Sequence, residues 1–380
     1  MNIISRLPNI GTSIFTVMSK MALEYNAINL SQGFPDFPID EKLIELVNQA
    51  MRDGHNQYAP MPGHPLLKKK ISELIFKTYQ REVNPDTEIV ITAGATQAIF
   101  STIAAVVQAG DEVIMFDPSY DCYDPAVILN GGTPVHINLI PPDFSIPWGE
   151  VRKKINKKTK AIIVNSPHNP CGTVLSDADM KKLTVLVNEF DLLLISDEVY
   201  ERIIFDGKEH QSALKYPDLK DRTIAIYSFG KTFHATGWKI GYTVASPKLT
   251  DEIRKAHQFI TFAVNTPMQV AMAEYLSDPS TILLLGKFYQ AKRDFFLEQV
   301  KGCSFKPLPC SGSYFQLMSF EGTSLESDWN MAERLTKDLK VASIPVSVFY
   351  KDQSDFKLLR FCFAKKDETL MKAGEILRRV

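Results

Sequence analysis

Short apolar runs rich in β-branched residues punctuate the first two thirds of the chain: Glu88 to Thr92, Glu112 to Phe116, Ala161 to Asn165, Leu192 to Ser196 and Thr223 to Tyr227. Their apolarity is continuous, the pattern of strands covered on both faces, and amphipathic stretches such as Gln97 to Gln108 and Asp177 to Glu189 lie between several of them. This alternation predicts an α/β fold with a mainly parallel central sheet between helices. Beyond about residue 270 the rhythm changes. A long amphipathic stretch through Tyr289 and Phe296 leads to strand-like Tyr314 to Met318, helix-like Met331 to Leu339, strand-like Phe356 to Phe363 and a final helix from Asp367. These predict a second, smaller α+β domain joined by a long helix. The first forty residues carry Pro8, Gly11, Gly33, Pro35 and Pro38, read as too irregular to form a unit, and are expected to lie across the other domains. The expected division is an N-terminal arm over 1–40 that contributes to the small domain, a large domain over 41–275 and a small C-terminal domain over 276–380.

Composition narrows the function classes. At 380 residues, 45% hydrophobic and with a formal net charge of -1, the chain can bury a large core, and it has no basic excess to attract nucleic acid or an anionic membrane. No stretch approaches the roughly 18 apolar residues of a membrane span, so a soluble, cytoplasmic protein is expected. The five cysteines (Cys122, Cys171, Cys303, Cys310 and Cys362) are odd in number and scattered. They read as reduced packing thiols, and no metal site is expected.

The chemistry sits where the predicted strands end. Thr223 to Tyr227 runs into Ser228-Phe229-Gly230-Lys231-Thr232, with a second amine at Lys239. A hydroxyl, two amines and a glycine together suit pyridoxal phosphate, whose phosphate needs cationic and hydroxyl partners and whose aldehyde needs a lysine. Glu88 to Thr92 runs into Gly94-Ala95-Thr96, where small residues let backbone N–H groups approach an anion at a helix N-terminus, although a plain strand-to-helix turn has the same composition. Asp197, at the end of a buried strand, would be costly unless paired, and the pyridine nitrogen of the cofactor is a fitting partner. Asn169 and Tyr200 could hydrogen-bond the ring's phenolic oxygen. The bland alternatives are that Asp197 caps a following helix and Tyr200 packs. Ligands of open α/β sheets collect outside the carboxyl ends of the strands, so four polar strand ends argue together.

Taken in order, Gly94-Ala95-Thr96, Asn169-Pro170-Cys171-Gly172, Asp197-Glu198-Val199-Tyr200 and Ser228 to Thr232 through Gly237-Trp238-Lys239-Ile240-Gly241 resemble the signature set of class I/II pyridoxal-phosphate aminotransferases of fold type I. The resemblance covers nearly the whole chain. Ser31 to Phe37, Asn56 to Pro60 and Leu359 to Lys365 are similar to the branch holding the bacterial methionine and the kynurenine/glutamine aminotransferases, and Asn265-Thr266-Pro267 with Ile344 to Phe349 favour the methionine group. The resemblance implies that Lys231 is the Schiff-base lysine and proton shuttle. It also implies that Ser228, Lys239 and Gly94 to Thr96 hold the phosphate and that Tyr120 stacks on the pyridine. Arg360 would grip the substrate carboxylate, with Gly33 and Asn169 beside it. Tyr58 would reach the phosphate of a partner subunit, implying a homodimer. Lys239 stands where many relatives have Arg, giving a point charge instead of a fork.

Other classes fail on missing parts. Ser228-x-x-Lys231 is also the nucleophile motif of penicillin-binding proteins, but the companion Ser-Asp-Asn and Lys-Thr-Gly are absent. A nucleotide-hydrolase phosphate loop would need Gly where Ala225 stands, and no Gly-x-Gly-x-x-Gly occurs. A non-enzymatic binding module would leave Lys231, Asp197 and Arg360 as ordinary structural ions. Within the cofactor class, β-elimination from cysteine conjugates and racemisation use the same carbanion, so a cysteine-conjugate β-lyase or a kynurenine/glutamine aminotransferase stands as the alternative. No arginine is evident for a distal carboxylate, and Phe15, in a lid-like segment, and Phe262, on the partner's side, suggest an aromatic-lined pocket. Methionine, aromatic amino acids or glutamine are therefore the expected donors, ahead of aspartate, with a 2-oxo acid as acceptor.

Overall fold

The computed structural model describes residues 3–380. Seven strands form the main sheet in the order Ile89–Thr92, Gly241–Ala245, Thr223–Ser228, Leu193–Asp197, Thr159–Asn165, Glu112–Asp117 and Thr133–Asn138. All neighbours pair in parallel except Gly241–Ala245, which runs antiparallel to the strands on both sides. The continuous apolar runs have a direct physical cause. Val113, Ala161 and Ile163 face one helical layer with Ile99, Ile103, Val127 and Ile253, while the alternate residues Ile114, Ile162 and Val164 face another with Leu183 and Val187. Both faces of every central strand are thus buried, as a helix-covered parallel sheet requires.

Local chemistry fixes the helix ends. The helix Asp177–Glu189 begins at a capping box in which Ser176 and Asp179 satisfy one another's backbone N–H groups. The helix Pro65–Tyr79 starts with Pro at its first position, where no amide donor is needed.

A four-stranded antiparallel sheet, Ile344–Pro345, Leu358–Cys362, Phe315–Ser319 and Lys306–Pro307 in order, lies in the C-terminal third with helices Asp328–Lys337 and Asp367–Leu377. The structure departs from the sequence reading in two ways here. The first forty residues are not wholly irregular: they contain a helix, Ile14–Glu24, and a strand, Ile28–Asn29, that pairs in parallel with Val341–Ala342 of the C-terminal region. The long connecting helix is interrupted: Thr266–Tyr275, Ser280–Leu283 and Leu285–Gln299 are separate, with Pro279 at the break. A proline there has no amide to continue the ladder.

Among the described residues no helix is long and apolar enough to cross a membrane, and no group of three or more potential metal ligands occurs.

Candidate active site

Because six strands of the main sheet run the same way, Thr92, Asp117, Asn165, Asp197 and Ser228 all end at one edge. The antiparallel strand begins there: Gly241 pairs with both Thr92 and Ser228. That single reversal delivers Lys239 to the edge from the opposite direction. The edge bounds a cavity of about 230 Å³, closed by Phe15, Gln32 and Gly33 of the N-terminal segment and by Phe315 and Arg360 of the smaller sheet.

One end of the cavity is an anion seat. The helix Gly94–Val106 has no side chain capping its N-terminus, so its first amides are free to meet a ligand. Gly94 adopts φ +77, and a Cβ at that position would lie 3.1 Å from Nζ of Lys239. The glycine therefore serves both the left-handed turn and the close approach of the ammonium. Lys239 is itself held at φ 55, an uncommon conformation for a side chain of this size, costing about 1–3 kcal/mol where the fold enforces it. Gly241 locks the arrangement, since a Cβ there would meet the carbonyl carbon of Gly94 at 2.9 Å. Ser228 and Thr96 line the same end.

The floor is Asp197, 3% exposed, whose side-chain hydrogen bonds among the described residues come from Tyr123 and the Val199 amide and not from a cation. Its Oδ2 accepts a 2.5 Å hydrogen bond from Tyr123, and burial pushes its carboxyl up to about 6 despite that bond. No helix follows Asp197, so the capping alternative does not apply. Asn165 donates to the Asp197 carbonyl at 2.9 Å and accepts from the Asn169 amide at 2.8 Å, joining two strand ends. Tyr120 forms a wall, its ring 5.9 Å from that of Tyr123. The segment carrying Tyr120 is braced by His136, whose two ring nitrogens bridge Asp117 and Asp124 at 2.9 and 2.8 Å. Burial alone would lower the His136 pKa, but the two carboxylates outweigh it and raise it to about 9.

Lys231 enters from the short helix Phe229–Thr232. Burial, with help from Lys239 and Arg360, lowers its amine to about 8, so about a tenth of it is neutral at pH 7, far more than for a free lysine. Nζ donates to Tyr314 Oη at 3.0 Å and lies 3.4 Å from the Gly33 carbonyl. The Tyr200 ring packs edge-on against Tyr314 at 5.1 Å.

At the opposite end, Arg360 is fully buried. Nη1 donates to Asn169 Oδ1 and Nη2 to the Ser31 carbonyl, both at 2.8 Å, and the guanidinium lies 4.0 Å from the Phe315 ring centroid. Nε is buried and has no hydrogen-bond partner among the described residues. Burial lowers the guanidinium to about 10, which leaves it charged at neutral pH. Asn169 has its carbonyl oxygen committed to Arg360 and its amide nitrogen left to donate. Phe15 lies 5.1 Å from Arg360 and is held by its carbonyl, which accepts from Gln32 Nε2 at 2.8 Å.

The structure brings Gly33, Gly94, Ala95, Thr96, Tyr120, Asn169, Asp197, Tyr200, Ser228, Lys231, Lys239, Arg360 and Phe15 to one cavity. It does not bring Tyr58 or Phe262 there. Those two stack edge-on with each other at 5.2 Å and are 81% and 47% exposed. Sequence reasoning gave no role to Tyr123, Asn165, Gln32 or Tyr314. Tyr123 stands three residues after Tyr120 and so shares its side of a turn, whereas Tyr314 read only as the start of a strand.

The donors fit pyridoxal phosphate. An uncapped helix end beside an ammonium suits a phosphate, a buried carboxylate lacking a cation suits a protonated ring nitrogen, and a lowered lysine amine suits an aldehyde.

Comparison with known proteins gives the same direction. Residues 25–377 match the family model for aminotransferase class I and II. The chain is 45% identical over 377 residues to methionine aminotransferase of Escherichia coli, covering 99% of this chain and 98% of that protein. It is 36% identical to human kynurenine–oxoglutarate transaminase 3, covering 98% and 89% respectively. A solved Escherichia coli structure described as having a methionine aminotransferase function superposes with a TM-score of 0.98 at 44% identity, covering 100% of both chains.

Proposed function

The chain belongs to the class I and II aminotransferases and is a pyridoxal-phosphate-dependent amino-acid aminotransferase, and from that premise we propose that methionine is its preferred amino donor. The observation that carries this reading is a count of cations. Lys231, Lys239 and Arg360 line the cavity, and each has a task there: Lys231 the amine chemistry, Lys239 the phosphate, Arg360 the α-carboxylate. Among the described residues of one chain's cavity lining, none remains for a second, distal carboxylate. An aspartate side chain would lose hydration without a charge partner, at a cost of several kcal/mol, whereas a thioether against Phe15 and Phe315 would gain about 0.3–1.5 kcal/mol from sulfur–aromatic contact. The name of the 45% identical relative supports the same donor. Aromatic donors differ from methionine by little on these magnitudes and are expected close behind it, with glutamine next.

When bound, pyridoxal phosphate supplies the carbonyl that takes up the amino group and a ring that accepts negative charge from the donor's Cα. The residues do the rest. Arg360 orients the donor through its carboxylate, with Asn169 fixing the guanidinium. Lys231 Nζ, kept partly neutral by burial, removes the Cα proton and returns it to complete the exchange. Asp197, steadied by Tyr123, provides the negative charge that keeps a ring nitrogen protonated. A 2-oxo acid then takes the amino group by the reverse sequence.

The proposed working unit is a homodimer. Tyr58 and Phe262 form an exposed aromatic pair outside their own chain's cavity lining, an apolar surface suited to an interface, and Tyr58 would complete the neighbour's phosphate seat. Five free cysteines support a reducing, cytoplasmic setting.

Initial rates with equal low concentrations of methionine, phenylalanine, glutamine and aspartate, against a fixed 2-oxo acid, test the donor. The reading expects methionine to exceed aspartate in kcat/KM by at least about 100-fold, the ratio for a few kcal/mol. Equality would overturn it.

A further inference from the structure

The geometry points to Tyr314 as a positioning residue that holds the Lys231 amine, through its phenol oxygen, whenever that amine is not covalently engaged. This rests on Lys231 being the lysine that carries the cofactor. Lys231 Nζ donates to Tyr314 Oη at 3.0 Å, and Tyr314 in turn donates to the Gly33 carbonyl at 2.6 Å. The phenol proton is therefore committed to a backbone acceptor, and its lone pairs are what remain for the amine. Gly33 is fixed in turn, because a Cβ there would lie 2.7 Å from the Phe315 ring. The Tyr314 ring is fully buried and clamped by Tyr200 at 5.1 Å, Tyr289 at 5.7 Å and Phe315 at 4.9 Å. An acceptor anchored on so many sides cannot follow the lysine, so the lysine must return to it.

Two consequences follow for the chemistry. A flexible four-carbon amine with three rotatable donors would otherwise sample several positions, and a base must lie within about 3 Å of the proton it moves. Tyr314 and the Gly33 carbonyl give it one resting place inside the cavity, between the Asp197 floor and the Arg360 end. Acceptance by the phenol also stabilises the ammonium against the burial that lowers it, so removing the hydroxyl should lower the lysine's titration midpoint further.

The test compares Tyr314→Phe with Tyr289→Phe. Tyr289 belongs to the same buried aromatic cluster, but its hydroxyl meets His234 Nδ1 at 2.8 Å and not the lysine. Three quantities are read for each: the pH midpoint for modification of the Lys231 amine by an amine-selective reagent in cofactor-free protein, by peptide mass; the rate of solvent deuterium exchange into the Cα of methionine by holoenzyme; and cofactor content. Tyr314→Phe is expected to lower the midpoint by about one unit or more and to slow exchange by roughly tenfold or more, the range of one hydrogen bond to a charged group, with cofactor content retained. Tyr289→Phe should change neither. Should Tyr314→Phe not fold, Tyr314→Leu, which keeps an apolar side chain there and carries no hydrogen-bond acceptor, makes the same comparison. An unshifted midpoint with exchange within twofold of wild type, or equal effects in both tyrosine variants, would overturn the role of Tyr314. Absence of cofactor on the Lys231 peptide after reduction of wild type would instead overturn the reading on which it rests.

Discussion

Tyr123 holds Asp197 through a 2.5 Å hydrogen bond from its phenol to Oδ2, so the carboxylate beneath the cavity is steadied by a neutral donor rather than a cation. This bond opposes the effect of burial, which pushes the Asp197 carboxyl up to about 6. Tyr123→Phe should let that value rise further, leaving less carboxylate at neutral pH. The cofactor dissociation constant is expected to rise by roughly tenfold, more at pH 6 than at pH 8. Equilibrium binding at the two pH values measures this, and equal affinity to wild type at both would show that the phenol has no such role.

Asp197 also carries a stability cost. Its folded pKa lies above the unfolded value, so ionisation favours the unfolded chain, and the cost grows as pH rises from about 4 through about 6 and is constant above. In cofactor-free protein, Asp197→Asn should therefore be as stable as wild type or more so at pH 7.5, by up to roughly 3 kcal/mol. Little gain is expected at pH 4. Cofactor affinity should fall in the same variant. Denaturant unfolding at the two pH values decides it, and a large loss of stability at pH 7.5 would contradict the assignment of an unpaired buried charge.

Arg360 should tolerate replacement by lysine poorly, because a point charge cannot reproduce the guanidinium that spans Asn169 and the Ser31 carbonyl while stacking on Phe315. For Arg360→Lys the expected result is a KM for methionine raised about 100-fold, with the corresponding amine lacking the carboxylate affected far less. Steady-state rates with both donors check this. Equal losses would remove Arg360 from carboxylate recognition.

Much of this arrangement was legible in the sequence, and the exceptions share a physical cause. Buried parallel strands announce themselves by continuous apolarity, and Asp197, Ser228 and Lys231 stand at the ends of such runs. Gly241–Ala245 was missed because Gly-Tyr-Thr-Val-Ala is short and mixed, and its antiparallel direction is fixed only by the neighbours it pairs with. Without that strand, the approach of Lys239 to Gly94 could be stated only through family resemblance. Ile14–Glu24 was hidden by the prolines and glycines around it, and its packing is settled by contacts with residues more than 300 positions away, such as Val341. Tyr314 was invisible as a functional residue because an aromatic at the head of a strand has an ordinary explanation in packing.

Tyr58 lines no part of its own chain's cavity and is 81% exposed, which suits a residue acting in a neighbour's site. Mixing Tyr58→Ala, expected to bind the cofactor weakly, with inactive Lys231→Ala subunits at limiting cofactor should restore activity, since a hybrid dimer contains one site with both defects and one with neither. Recovery approaching a quarter of wild type is expected for random exchange at roughly equal amounts, as half the dimers are hybrids with one intact site of two. A fully active monomer in sedimentation at assay concentration would exclude the arrangement.

The account stands on Lys231 Nζ as the atom that carries the cofactor and gives it up to an amino acid. Borohydride reduction of the holoenzyme followed by peptide mass analysis tests this directly, performed before and after addition of excess methionine without an oxo acid. The predicted result is cofactor mass on the peptide containing Lys231 before methionine, and an unmodified Lys231 after it. Cofactor on Lys239 or another lysine, or a Lys231 adduct that methionine fails to release, would contradict the account.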